Sequence, residues 1–171
     1  MTANSLSVTE NIDGQSFRRA VSLFATGIGV ISSEDSDGDI HGATVNSFTS
    51  ISLDPPTIMI SLKPGKMHSM LSDEGVFGVS ILGEKHKEYS NYFSRRDVRG
   101  ARPPNFTRRH ASRTLTDAIA WFECKVEKTL DVNDHTLFIA RVTACGQSET
   151  ASQAPLLFFA SQYHHNPSPI A

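Results

Sequence analysis

Gly42-Ala43-Thr44-Val45-Asn46-Ser47-Phe48-Thr49-Ser50-Ile51-Ser52-Leu53-Asp54-Pro55-Pro56 decides how the rest of the chain is read. The run reads as strand, but a half-buried strand alternates apolar and polar residues, and this one alternates only in part. Thr44, Asn46, Ser47, Thr49, Ser50 and Ser52 crowd it with small hydroxyl and amide groups. Such groups donate and accept hydrogen bonds from short, stiff arms, which suits gripping a flat, heteroatom-rich ligand along its edge. Pro55-Pro56 then stops the run, because proline cannot donate to a sheet ladder and biases its predecessor away from helix.

The neighbouring segments read as short elements around this run. Upstream, Asp13 and Ser16 are candidate helix caps. Phe17, Ala20, Val21 and Phe24 fall on one helical stripe, with Gly27 ending it. Ile28 to Ser33 is a strand, Asp35-Ser36-Asp37-Gly38-Asp39 a tight turn, and His41 to Phe48 the next strand. Downstream, Thr57 to Leu62 reads as a buried strand, Lys66 to Ser72 as a short helix, Val76 to Leu82 as a strand and Glu84 to Phe93 as a helix. Trp121 to Leu130 alternates and pairs with His135 to Cys145 across Asp131-Val132-Asn133-Asp134. Pro155 to Ala160 is the last strand. About seven strands with two or three short helices predict a mainly β fold centred on a barrel.

Bulk properties narrow the function. The 171 residues carry 39% hydrophobic residues, enough for one domain with a real core. A net charge of −2 argues against a general nucleic-acid binder. No apolar run approaches the ~20 residues of a membrane span, and the first residues lack a signal-peptide block. The two cysteines, Cys124 and Cys145, form neither a disulfide framework nor a metal spacing. The expectation is a cytoplasmic protein with a polar tail over 1–12, one domain over 13–165 and a tail over 166–171.

The same run resembles the flavin-contacting segment of the flavin reductase-like family. Other segments fit in the same order: Phe17 to Ala20 through Phe24 to Gly27, Phe77 to Ser80, Trp121 to Cys124, Asp134 to Phe138, and Pro155 to Phe159. Within the family, His41-Gly42, Lys63 to His68 and Leu157 to His164 are most similar to the FAD reductase component of two-component styrene/indole monooxygenases. The resemblance implies a Greek-key-like split β-barrel, a homodimer with flavin near its interface, and an NADH-dependent reductase supplying reduced FAD, or FMN, to a separate flavin-dependent monooxygenase. A flavoprotein that keeps its flavin for another acceptor, and a non-catalytic flavin-binding module, are the alternatives. Phe158, Phe159 and Phe48 are expected to supply an apolar rim for the dimer.

By resemblance, Thr44, Val45, Asn46 and Ser47 line the flavin ring, and Ser50 and Ser52 lie nearer the ribityl chain or phosphate. Lys63 and Lys66 sit in a cationic turn feeding a helix N-terminus, a setting that holds phosphate. Ser61, His68 and Tyr163 complete the cofactor contacts. His135 occupies the segment associated with NAD(P)H, with Asn133 where the family has glycine. No catalytic acid or base is required, because hydride transfer is cofactor chemistry. Gly27-Ile28-Gly29 is not a dinucleotide fingerprint, since it follows a helix and opens a strand. His164-His165 has no partner at metal-ligand spacing and reads as a rim. The stretch from Arg95 to Arg113 holds seven arginines opposed in sequence only by Asp97. It reads as a mobile surface loop that clamps cofactor phosphates, docks the partner oxygenase or contacts nucleic acid.

Overall fold

Asn133 sits at φ 53°, in the left-handed region that asparagine tolerates better than most residues. Asn133-Asp134 thus turns the chain between two long strands, β9 (Ala120–Val132) and β10 (His135–Gln147), which pair antiparallel from Val132↔His135 onward. This hairpin is the spine of the fold. The computed structural model describes residues 12–94, 102–149 and 154–165.

Five more strands build on the hairpin: β2 (Gly29–Glu34), β3 (Ile40–Val45), β4 (Thr49–Leu53), β5 (Pro56–Leu62) and β6 (Val76–Ile81). All pair antiparallel in the order β3-β2-β6-β9-β10-β5-β4. β3 and β4 therefore occupy opposite edges, although only Asn46, Ser47 and Phe48 separate them in sequence. Laid flat, seven strands would hold those edges about 29 Å apart. The four steps from Val45 to Thr49 reach about 14 Å at most. The sheet must roll up, and the edges meet without pairing. Ser47 staples this seam: its Oγ donates to the Ser61 carbonyl (3.1 Å) and accepts from the Ser61 N–H (3.0 Å). The opening run is thus two strands and a crossing, and the strand expected to reach Phe48 ends at Val45.

The rolled sheet has two faces and two cores. Inside lie Ile31, Val45, Ile58, Ile60, Phe77, Val79 and Phe138. Helix α2 (Lys66–Asp73) plugs this interior with Met67, Met70 and Leu71. Phe48 closes the seam against Phe122, with ring centroids 5.3 Å apart. Cys124 is fully buried here, and burial pushes its thiol up to about 12, so it is an inert packing group.

On the outer face, Ile28, Val30, Leu82, Leu115, Ala118 and Leu156 form the second core. Helix α3 (Lys87–Ser94) and two small hairpins cover it. One pairs β7 (Phe106–Arg108) with β8 (Arg113–Leu115). The other pairs β11 (Leu157–Phe159) with β12 (Gln162–His164), and β1 (Thr26–Gly27) adds to β11. Gly78 permits this layering, because a Cβ there would overlap the Arg113 carbonyl.

The arginine-rich stretch differs from the expected mobile loop in its described part; residues 95–101 lie outside the described residues. Arg113 Nε donates to Glu34 at 2.6 Å, and Arg109 lies 4.2 Å over the Trp121 ring. The Glu123 carboxylate, 3% exposed, accepts from the Ala111 and Ser112 N–H groups (2.8 and 3.0 Å). Glu34, distant in sequence, and Glu123 on β9 therefore organise the hairpin, and Arg102 and Arg108 remain exposed.

Helix α1 (Gly14–Ser22) is capped as expected, with Asp13 accepting from the Ser16 N–H at 2.7 Å. It ends earlier than Gly27, which joins β1 instead. Its apolar stripe stays largely uncovered among the described residues: Phe17 is 61% exposed and Phe24 74%. One exposed apolar patch among the described residues is thus α1 with Leu23, Phe24 and Phe159, while Ile51 and Leu53 on β4 and Leu130 and Val132 on β9 are exposed as well. Phe48 and Phe158 are packed inward, and Phe159 alone of that trio is exposed.

Candidate active site

β3 carries candidate contacts along its whole length. Its first half faces a cleft of about 340 Å³ lined by His41, Gly42, Ala43, Leu62, Lys63, Gly65, Lys66, Met67 and His68. Its end, with Thr44, Val45 and Asn46, borders a hollow of about 200 Å³ completed by Ile28, Ser90, Ser94, Phe158 and Tyr163. The two cavities lie along one strand. At about 3.3 Å per residue, the chain from His41 through β3 to Asn46 spans roughly 17 Å. The cleft lies on the side of β3 that faces α2 and the hollow on the side that faces α3, so the two cavities flank this edge strand.

The cleft is cationic but partly neutralised. Lys63 Nζ meets Asp134 at 2.8 Å, and His135 Nδ1 lies 2.8 Å from the other Asp134 oxygen. Lys63 first, then His135, holds the Asp134 carboxyl down at about 2. On the opposite wall, His41 Nε2 donates to Asp35 at 2.7 Å, and Lys66 Nζ lies 3.8 Å from the same oxygen. The His41 bond, aided by the Asp39 and Asp37 N–H groups, holds the Asp35 carboxyl below its usual range. Gly65, the N-cap of helix α2, makes no side-chain cap bond, so no side-chain oxygen caps its first-turn N–H groups.

His68 is fixed by a proton count. Thr136 donates its one hydroxyl proton to Asp131 at 2.7 Å, since an ionised carboxylate only accepts. The Thr136 oxygen can then only accept from His68 Nε2, 2.9 Å away. Nε2 therefore carries hydrogen, and Nδ1 makes no hydrogen bond among the described residues.

In the hollow, Thr44 donates to the Ser90 carbonyl at 2.7 Å, and Ser90 Oγ pairs with the Tyr163 hydroxyl at 2.9 Å. Lys87 Nζ sits 5.7 Å above the Tyr163 ring. These hydroxyls are already occupied. Asn46 is exposed and makes no hydrogen bond among the described residues, which leaves its amide free for a ligand.

The sequence-based set thus divides. Lys63, Lys66 and His68 share the cleft, while Thr44, Val45, Asn46 and Tyr163 share the hollow. Ser47 and Ser61 are bonded to each other across the seam, and His135 stands at the rim beside Lys63. Ser50 is exposed on β4, and Ser52 exchanges hydrogen bonds with the Asp54 backbone (3.1 Å each), so both line neither cavity. Asp35, Ser90 and Asp131 escaped sequence reading. Asp35 was legible only as a turn residue, and the other two carry no local signal at all.

A rolled antiparallel sheet split along one seam, with polar cavities strung beside that seam, defines a split-barrel ligand-binding protein. The chain belongs to the flavin reductase-like family, matching the flavin reductase like domain over residues 21–167. It is 58% identical over 163 residues to the NADH-dependent flavin reductase StyB of Pseudomonas fluorescens, covering 95% of this chain and 96% of that protein. The solved styrene monooxygenase flavin reductase (SMOB) from Pseudomonas putida S12 matches with a TM-score of 0.86 and 60% identity, over 90% of this chain and 99% of that one. The flavin reductase PheA2 matches with a TM-score of 0.83 and 34% identity, over 92% and 100% of the two chains.

Proposed function

We propose that this chain is an NADH-dependent flavin reductase that supplies reduced FAD to a separate flavin-dependent monooxygenase of the styrene/indole type. FMN is a second possible substrate in this reading. The observation that carries it is the 58% identity, over nearly the full length of both chains, to a protein named an NADH-dependent flavin reductase, with the styrene monooxygenase flavin reductase among its structural neighbours. The two cavities beside the β3 edge support it, one lined by lysines and the other by aromatic rings and a free amide, because a flavin is flat at one end and anionic at the other.

In this reading the ring lies against the hollow, where the free Asn46 amide meets its heteroatom edge beside Thr44, Val45 and the Tyr163 and Phe158 rings. The phosphates lie in the cleft, against Lys63, Lys66, His68 and the uncapped first turn of α2. That orientation moves the phosphate end away from Ser50 and Ser52 and toward His41. His135, oriented by Asp134, meets the nicotinamide substrate at the rim. NADH supplies the hydride to the flavin ring. The chain's own task is to hold the two rings in contact and to place N–H donors where negative charge develops. Activity that requires added free flavin tests the reading.

The homodimer belongs to the same proposal. Phe17, Val21, Leu23 and Phe24 on and beside α1, with Phe159, form an exposed apolar patch larger than scattered surface residues would make. The Ala160 N–H donates to the Ser22 carbonyl at 2.7 Å and holds the β11–β12 hairpin to α1, so the patch is one surface. A twofold contact would bury it. Sedimentation equilibrium is expected to show a dimer that the double change Phe17→Glu, Phe24→Glu converts to monomer; a monomeric unaltered chain would contradict the assignment. Among the described residues no helix is long and apolar enough to cross a membrane, and a cytoplasmic setting is part of the proposal.

A further inference from the structure

Each lysine in the cleft is met by a carboxylate, and the one on Lys66 does two separable jobs. Asp35 Oδ1 accepts from the Asp37 and Asp39 N–H groups, at 3.1 and 3.0 Å, and so shapes the turn between β2 and β3. Asp35 Oδ2 accepts from His41 Nε2 at 2.7 Å and lies 3.8 Å from Lys66 Nζ. The turn uses only the first oxygen. The second places a fixed negative charge against two groups that line the cleft. A cleft built only for tight phosphate capture would leave those donors free. Here an arriving phosphate must share them with a carboxylate that repels it.

We propose that Asp35 sets the affinity of the cleft for phosphate-bearing flavins, holding it low enough that reduced flavin leaves. This rests on the reading of the cleft as the phosphate end. Asp35 is an affinity-setting residue and touches no reacting atom. Its action is electrostatic, so it depends on the charge of the ligand's tail and not on the ring.

Asp35→Asn separates the two jobs. The amide oxygen still accepts from the turn N–H groups, while the charge is lost; Asp35→Ser, which also caps such turns, serves if the first variant fails to fold. Purified protein is titrated with FAD, FMN and riboflavin over a salt series, and release of reduced FAD is timed. The expected result is a Kd for FAD and FMN lower by about three- to five-fold, the scale of one exposed ion pair. Release should slow to match, the effect should shrink with salt, and riboflavin, which has no phosphate, should be unchanged. FAD affinity unaltered in Asp35→Asn but weakened in Lys66→Gln would overturn the role of Asp35 and leave the cleft reading standing. FAD affinity indifferent to Lys63→Gln and Lys66→Gln together would overturn the cleft reading, and this inference with it. Equal tightening of riboflavin would also overturn it, since charge would not be the cause.

Discussion

Glu123→Ala is expected to lower the stability of the fold by about 3 kcal/mol, the scale of removing a charged acceptor and leaving buried donors unsatisfied. The Glu123 carboxylate takes the Ala111 and Ser112 N–H groups and the Ser112 hydroxyl, at 2.8, 3.0 and 3.2 Å. Without it, the turn between β7 and β8 loses its anchor on the outer face of the barrel. Burial alone would push this carboxyl up, but the donated hydrogen bonds outweigh that and hold it below its usual value of 4.5. The sign follows: its contribution is fully present above that ordinary value and is lost as pH falls through the lower folded one. Denaturant unfolding at neutral and acid pH checks both parts. The unaltered chain should lose stability on acidification by more than Glu123→Ala does. An unchanged midpoint at neutral pH would show that the hairpin is held by other contacts.

Asn46→Ala is expected to weaken flavin binding by about 1–2 kcal/mol, the scale of one or two hydrogen bonds to a ligand edge. The amide is exposed beside the hollow and has no hydrogen-bond partner among the described residues. Removing it therefore breaks nothing in the fold, and stability should stay within about 0.5 kcal/mol. This contrast makes the test clean. Flavin fluorescence titration reads the affinity, and thermal unfolding reads the stability. A folded variant with unaltered flavin affinity would remove Asn46, and the ring position, from the hollow.

Much of the barrel was legible because its signals are local. The Asp13 cap, the Asn133-Asp134 turn and the alternation of β9 each depend on neighbours within a few residues. Closure was not local. The crossing at Asn46-Ser47-Phe48 becomes visible only once β3 and β4 are known to lie at opposite edges, and that order depends on β6 pairing with both β2 and β9. Amphipathic periodicity showed that α1 has an apolar stripe, but periodicity does not say what covers it. The arginine-rich stretch was misjudged for a related reason. Its charges were counted along the chain, whereas Glu34, on a strand far away in sequence, pairs with Arg108 and Arg113, and Glu123 anchors the hairpin turn through its backbone.

The candidate site was legible as residue types more than as geometry. Small hydroxyl and amide groups marked β3 and the crossing, and the lysine-bearing turn marked the cleft. Which of them are free for a ligand is a tertiary matter. Ser47 is bound at the seam, Thr44 is bound to α3, and Asn46 is free. Asp35 was hidden because turn chemistry alone accounts for an aspartate at that position.

The most direct test of the central claim is steady-state NADH oxidation by the purified chain, with and without added free flavin. The proposed function predicts negligible NADH consumption alone, and a rate that rises and saturates with added FAD, with FMN for comparison. NADH consumption that is independent of added flavin, or that fails with both FAD and FMN, would contradict it.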